Sequence, residues 1–353
     1  MIGVLGASGA VGRFAVAALR DGGCGPLRLG ARRPERLSAD DGEVVAVDVT
    51  DAGSLAAFCA GLDVVLNCAG PTYALQETMA LAALAAGAHY VDVGGDDPVH
   101  EKLAGVVTGD ATVVLSAGTL PGLSALVPRW LAGPGPGGGR LVCHAGGLER
   151  CTETVAADFM LSLSVGGAHG EPFGAPLAAW RHGRRVPRAL RVAEDAAVPY
   201  FPDRATLQPI LTAENERLAA ALGLAELENW NVHPGPRVRA LFTRLPGLAP
   251  ADAAARLITA AEVDLAGREP YYRMVFALDG RTAVVSTASS YRLTAFVGVL
   301  AVRAIRSGSV RPGLHFAGEV LDPEWTVAEV NRSGAARVAA PAADGDDVEE
   351  GVL

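Results

Sequence analysis

Gly6, Gly9 and Gly12 fall three residues apart in the opening stretch MIGVLGASGAVG, where an apolar strand gives way to a helix. Residues of this kind hold an anion rather than react with it. A sharp bend calls for a glycine, a backbone that must lie against a phosphate calls for a second, and a helix packed closely on its strand calls for a third. The helix expected over Ala10–Arg20 turns its positive end toward that anion, and Ser8, Ala10, Val11 and Gly12 complete the turn. The same glycines also suit a tight strand-to-helix turn without a ligand.

Other polar and bare-backbone positions recur at the ends of apolar segments. After Leu27–Ala31 come Arg32 and Arg33, with no carboxylate at the place where a ribose hydroxyl would be read. Two guanidiniums suit a 2′-phosphate, so the expected cofactor is NADP(H) rather than NAD(H), unless both arginines are simply solvated charges. The segment Asn67-Cys68-Ala69-Gly70-Pro71-Thr72-Tyr73 ends a strand in small residues. Ala69, Gly70 and Pro71 then leave backbone open to a ligand, and Tyr73 can donate a proton or orient a water. A packed aromatic is the other reading of Tyr73. Gly94, Gly118 and Pro121 mark two further strand ends. Asp92 and Asp96 could receive an amine, although capping the next helix suits Asp96 equally. His89 and Asp92 lie three apart on a strand, face opposite sides and form no dyad.

The elements that must carry these residues follow from periodicity. Strands are expected at Leu27–Ala31, Glu43–Val47, Asp63–Asn67, His89 onward and Ala111–Leu115, with helices at Asp51–Ala60 and Ala74–Ala86. With the first strand, six strands alternating with helices make a doubly wound parallel sheet of the Rossmann type, an α/β fold. The chain has 353 residues, half of them hydrophobic, which is enough for two domains. A net charge of −9 argues against nucleic acid or an anionic membrane as a partner. Five cysteines without a C-x-x-C spacing read as buried thiols, and seven histidines without H-x-x-x-H predict no metal. The first strand begins at Ile2 and leaves no room for a leader, so a soluble cytoplasmic protein is expected.

The order of GASGAVG, Asp48-Val49-Thr50-Asp51, NCAGPTY, AGAHYVDVGGD and AGTLPGLSAL resembles the saccharopine dehydrogenase-like family of NADP-dependent oxidoreductases. Ala145-Gly146-Gly147-Leu148, SSYRLTAFVGVLAVRAIRSG and GLHFAGEVLDPEWTVAEV are similar to later blocks of that family, so the likeness spans most of residues 1–333. It implies Asp48 and Val49 at the cofactor. It also implies hydride transfer to or from a C=N bond, in an imine or secondary amine of an amino-acid-derived or secondary-metabolic substrate. Reduction of a C=C bond in a polyketide or lipid is the alternative among enzymes, and a non-catalytic NADP(H)-binding sensor the alternative outside them. Glu149 and Arg150 depart from the family's pattern.

Beyond the connector PGPGGG at 134–139 the pattern changes. Strands are expected at Arg140–Ala145, Ala157–Ser164, Leu227–His233, Tyr271–Leu278 and Arg281–Ala288, and helices at Ala213–Leu222, Val238–Leu245 and Ala251–Ala266. These make an inserted α+β mixed-sheet domain over 123–289 for substrate binding and homodimerisation. Residues 290–333, with helices at Tyr291–Ser307 and Pro323–Asn331, return to the dinucleotide domain 1–122. An acidic tail from Gly334 is expected to be disordered. The basic group Arg181–Arg188 reads as a loop or strand end, and His144 as a satisfied sheet histidine. Arg150 could pair with a substrate carboxylate or with a surface acid, and Tyr291 is placed at the domain junction against the small-molecule substrate.

Overall fold

The computed structural model describes residues 1–70, 75–107, 109–134, 138–163, 174–242 and 244–340. The first domain runs β1 (Ile2–Leu5), α1 (Gly12–Asp21), β2 (Leu27–Ala31), β3 (Glu43–Ala46), α2 (Ala52–Cys59), β4 (Val64–Asn67), α3 (Thr78–Ala85), β5 (His89–Asp92), α4 (Asp97–Leu103), β6 (Thr112–Leu115) and α5 (Leu123–Ala132). Alternating side chains bury both faces of its parallel sheet, as a doubly wound fold requires. Val64 and Leu66 join one core with Ala15 and Leu19 of α1, while Val65 joins the other with Phe58 and Met79.

The second domain runs β7 (Arg140–Leu148), α6 (Glu153–Leu163), β8 (Ala175–Pro176), β9 (Ala179–Arg181), β10 (Arg184–Val186), β11 (Ala193–Ala196), β12 (Ala205–Leu211), α7 (Ala213–Ala221), β13 (Glu226–His233), α8 (Pro236–Arg239), α9 (Pro250–Leu265), β14 (Tyr271–Leu278) and β15 (Arg281–Thr287). Its mixed sheet has β13 parallel to β7 and β14 antiparallel to β7 and β15. Leu141, Cys143, Met274 and Phe276 on its inner face share the core that holds α1, so the two domains are packed through one apolar interior.

The chain then returns through α10 (Ser290–Arg306), β16 (Gly313–Phe316), α11 (Ala317–Val320), α12 (Pro323–Ser333) and β17 (Arg337–Ala339). β16 is a seventh parallel strand beside β6, giving the order β16-β6-β5-β4-β1-β2-β3, and β17 pairs with β15 in the other sheet.

Four expectations are corrected. Ala157–Ser164 is not a strand: its described part lies in helix α6, started by Thr152, whose hydroxyl accepts the Val155 N–H at 3.3 Å. Among its described residues, Val238–Leu245 holds only the end of α8 and the start of a 3-10 turn at Leu245–Gly247. The basic group Arg181–Arg188 includes β10 and the end of β9. Disorder does not begin at Gly334, because Ala335, Ala336 and Val338 are buried and the Asn331 side chain bonds the Val338 N–H and carbonyl at 2.7 and 3.0 Å. Residues 341–353 lie outside the described residues. Among those described, no helix is long and apolar enough to cross a membrane, and no three His, Cys, Asp or Glu are grouped to hold a metal ion.

Candidate active site

The carboxyl ends of β1, β4, β5 and β6 open on one edge of the first sheet, the edge where ligands bind in this architecture. At β1 the glycines divide the work that their spacing suggests. Gly6 has φ +72°, and a Cβ on it would lie 2.7 Å from the Ala69 nitrogen. Gly9 is exposed, its N–H bonded to Gly6 O at 2.9 Å, so its bare surface faces outward. Gly12 is buried, and a Cβ there would collide with Gly6 O and lie 2.8 Å from Ala7 Cα. Ser8 and Ala10 are half-buried in the turn, and Val11 is the residue before α1. This bare cradle at a helix N-terminus fits a pyrophosphate.

Arg32 and Arg33 follow β2, are exposed, and make no ion pair with a described residue. Asp48 lies after β3; its Oδ1 accepts the Thr50 N–H at 2.9 Å and hydroxyl at 2.7 Å, and these bonds lower its pKa. Val49 is half-buried against the core under α2.

Asn67 ends β4 by receiving the Ala69 N–H on Oδ1 at 2.9 Å. Its amide donates to Asp92 Oδ2 at 3.0 Å, the Tyr90 hydroxyl donates to the same oxygen at 2.7 Å, and Gly94 N–H donates to Asp92 Oδ1 at 2.9 Å. Asp92 is 1% exposed, with burial raising its pKa against these three bonds. Both oxygens are occupied, so Asp92 ties the ends of β4 and β5 together and presents no face to a substrate amine. This corrects its assignment as a catalytic residue. Gly70 is exposed beyond Ala69, while Pro71 and Tyr73 lie outside the described residues.

The β6 end is bound to the β5 end: Ser116 N–H reaches Gly94 O at 2.5 Å, and its hydroxyl reaches Gly95 O at 2.6 Å. Gly118 has no room for a Cβ beside Val93 O, and its N–H bonds Pro121 O at 3.1 Å. The Thr119 hydroxyl accepts from Thr294 of α10 at 2.9 Å, which brings the returning helix to this edge.

Glu149, just beyond β7, caps that helix. Its carboxylate accepts the Ser290 N–H at 2.9 Å and the Ser290 hydroxyl, and burial raises its pKa. The Tyr291 hydroxyl donates to the Arg150 carbonyl at 2.6 Å. This bond ties the start of α10 to the residue after Glu149. The Arg150 side chain is exposed and makes no ion pair with a described residue.

Two carboxyls from different domains sense each other's charge. Asp96 precedes α4, where its own N–H and that of Val99 lower its pKa; burial first, then Asp97, outweighs them and raises it to about 6. Asp158 of α6 is raised to about 7 by burial, with the Asp96 charge adding to it. Asp158 was hidden from sequence reasoning because its stretch reads as a strand; Thr152 three residues before Val155 is the capping signal that could have revealed the helix. Close by on the same helix, Phe159 packs edge-on to His233 at 4.9 Å, and Phe242 does so at 5.0 Å. His233 Nε2 is buried without a partner, and burial lowers the ring's pKa to about 4. His144 stacks at 6.5 Å on Trp230 and is likewise lowered to about 4 by burial.

Residues 6–94 match a family described as NAD(P)H-binding. No curated protein matches the chain in sequence. Among solved structures, the chain is similar to apo saccharopine dehydrogenase (L-Glu forming) from Saccharomyces cerevisiae, at 12% identity and a TM-score of 0.64, over 96% of this chain and 99% of that one. Triphenylmethane reductase from Citrobacter sp., complexed with NADP(H), is 28% identical over 27% of this chain and 37% of its own, with a TM-score of 0.25. Uronate dehydrogenase from Agrobacterium tumefaciens, complexed with NAD, is 24% identical over 26% of this chain and 40% of its own, at 0.24. The chain thus joins a first domain that matches an NAD(P)H-binding family over residues 6–94 to a second domain, in the fold of the yeast saccharopine dehydrogenase.

Proposed function

We propose that the protein is an NADPH-dependent oxidoreductase that transfers hydride to or from the C=N bond of an imine or secondary amine, on an amino-acid-derived or secondary-metabolic substrate. The cradle of Gly6, Gly9 and Gly12 would hold the pyrophosphate, and Arg32 and Arg33 the 2′-phosphate. Bound there, the nicotinamide supplies or accepts the hydride. The rest of the chemistry falls to the protein: to orient the substrate, exclude water and manage one proton.

The observation that carries this reading is the pair Asp96 and Asp158. An imine becomes a good hydride acceptor when protonated, and negative charge beside the resulting iminium stabilises it. Carboxyls raised to about 6 and about 7 can exchange that proton near neutrality. Reduction of an enoyl group instead builds negative charge on a carbonyl oxygen, which the ionised member of the pair opposes. The acidic lining therefore favours C=N over C=C.

The test is NADPH oxidation, followed by nicotinamide absorbance, with pairs of amino acids or amines and oxo acids or aldehydes. The expected result is turnover with at least one pair, reduced at least tenfold in Asp158→Asn with NADPH binding unchanged. Turnover only with α,β-unsaturated thioesters would favour the enoyl reductase, and tight NADPH binding without any turnover the sensor.

A further inference from the structure

The far end of α10 opens on a cavity that the hydride chemistry does not use. The helix runs from Ser290, held by Glu149, to Arg306, so its two ends lie roughly 25 Å apart. At that far end, Arg303, Ser307, Val310, Leu321, Asp322 and Trp325 help to line a cavity of about 330 Å³, toward the low end of the range for small-molecule sites. Val310 and Leu321 are buried and give it an apolar part. The Arg303 guanidinium lies 5.6 Å from the centre of the Trp325 ring, and its Nη1 donates to Glu329 Oε2 at 2.7 Å. Arg332 pairs with the other Glu329 oxygen, so two guanidiniums share one carboxylate and positive charge is left over at Arg303. Asp322 Oδ1 accepts the Trp325 N–H at 2.7 Å, and among the described residues Asp322 pairs with no cation.

We infer that this cavity binds a free α-amino acid with an apolar side chain. The carboxylate of the ligand takes N–H groups of Arg303 that Glu329 leaves open, the ammonium takes the second oxygen of Asp322, and the side chain lies among Trp325, Val310 and Leu321. A simple anion in this space meets the Asp322 carboxylate and the negative end of the α10 dipole, and a simple cation meets Arg303. A zwitterion satisfies both. Arg303 is set in advance for the task, because Glu329 on one nitrogen and the indole ring beside it limit its freedom. The site goes beyond the reading of Asp96 and Asp158 and is separate from their cleft.

Calorimetric titration of the full-length protein, without nucleotide, tests this with three probes: L-phenylalanine, phenethylamine, which lacks the carboxylate, and 3-phenylpropanoate, which lacks the ammonium. L-phenylalanine should bind saturably, and each analogue about tenfold more weakly or worse. In Arg303→Met the advantage of L-phenylalanine over phenethylamine should vanish. In Asp322→Asn, where asparagine still caps α12, its advantage over 3-phenylpropanoate should vanish instead. No saturable binding of L-phenylalanine, analogues that bind as well as the amino acid, or variants that leave both preferences intact would each overturn the proposal. So would an affinity lost in Asp158→Asn and kept in Arg303→Met, which puts the ligand in the cleft. The three probes are compared on the parent protein, so that comparison decides even where a variant fails to fold.

Discussion

Replacing Arg32 and Arg33 together by alanine removes the two cations at the end of β2. Neither makes an ion pair with a described residue, so their loss should leave the melting temperature nearly unchanged, and any binding effect is local. A charge-assisted hydrogen bond to a phosphate is worth about 1.5–3 kcal/mol where it is shielded. Both side chains are exposed, so the lower end applies, about 1.5 kcal/mol, or roughly tenfold, for each. The double variant should therefore bind NADPH about a hundredfold more weakly, while NADH affinity stays within about threefold. Calorimetric titration of both proteins with both nucleotides measures this directly. Equal losses for the two nucleotides would show that these arginines do not read the 2′-phosphate. A steep fall of the NADPH affinity with added salt in the parent protein, lost in the variant, is the accompanying signature.

Gly12→Ala forces a methyl group against Gly6 O in the turn, so it should cost about 1–3 kcal/mol of stability and abolish nucleotide binding, seen by thermal melts with and without NADPH. Burial lowers the His233 pKa to about 4 in the folded protein. The unfolded ring titrates near 6.5, so this contribution to stability is full above that pH and is lost as pH falls through the window from 6.5 toward 4, which acid unfolding of wild type against His233→Phe will report. Asp158 has the opposite sense. Its raised pKa means that ionisation disfavours the fold, so stability from this group falls as pH rises from 3.8 through about 7. Asp158→Asn should accordingly melt a few degrees higher than wild type well above pH 7, while losing activity.

The first domain was legible because its signals are local. Gly6, Gly9 and Gly12 each answer a backbone demand, and short apolar runs separated by helical spacing leave few alternatives. The second domain was less so. Ala157–Leu163 is a short apolar run in which strand and helix periods are hard to separate, and only the Thr152 cap marks the helix. β12 was missed because Pro209 sits inside it, and a proline ordinarily argues against a paired strand. At the site, Asp92 looked reactive by its place at a strand end. Tyr90 sits two residues before it on the same face of β5, but Asn67 meets it only when β4 and β5 lie side by side. Glu149 drew notice as a departure without a role, which became clear once the helix beginning at Ser290 returned to it. Glu214, which accepts the Gly122 N–H and the Ser124 hydroxyl, and Arg217, which pairs with Asp97, carry no sequence signal for that work, because the groups they hold are some 90 to 120 residues away.

The closing stretch of the chain adds β16 to one sheet and β17 to the other. During synthesis the first sheet therefore gains its outer strand at residues 313–316, before the second gains its own at 337–339. Cutting the gene after residue 312 would strip an outer strand from both sheets at once and bare β6 and β15 as the new edges.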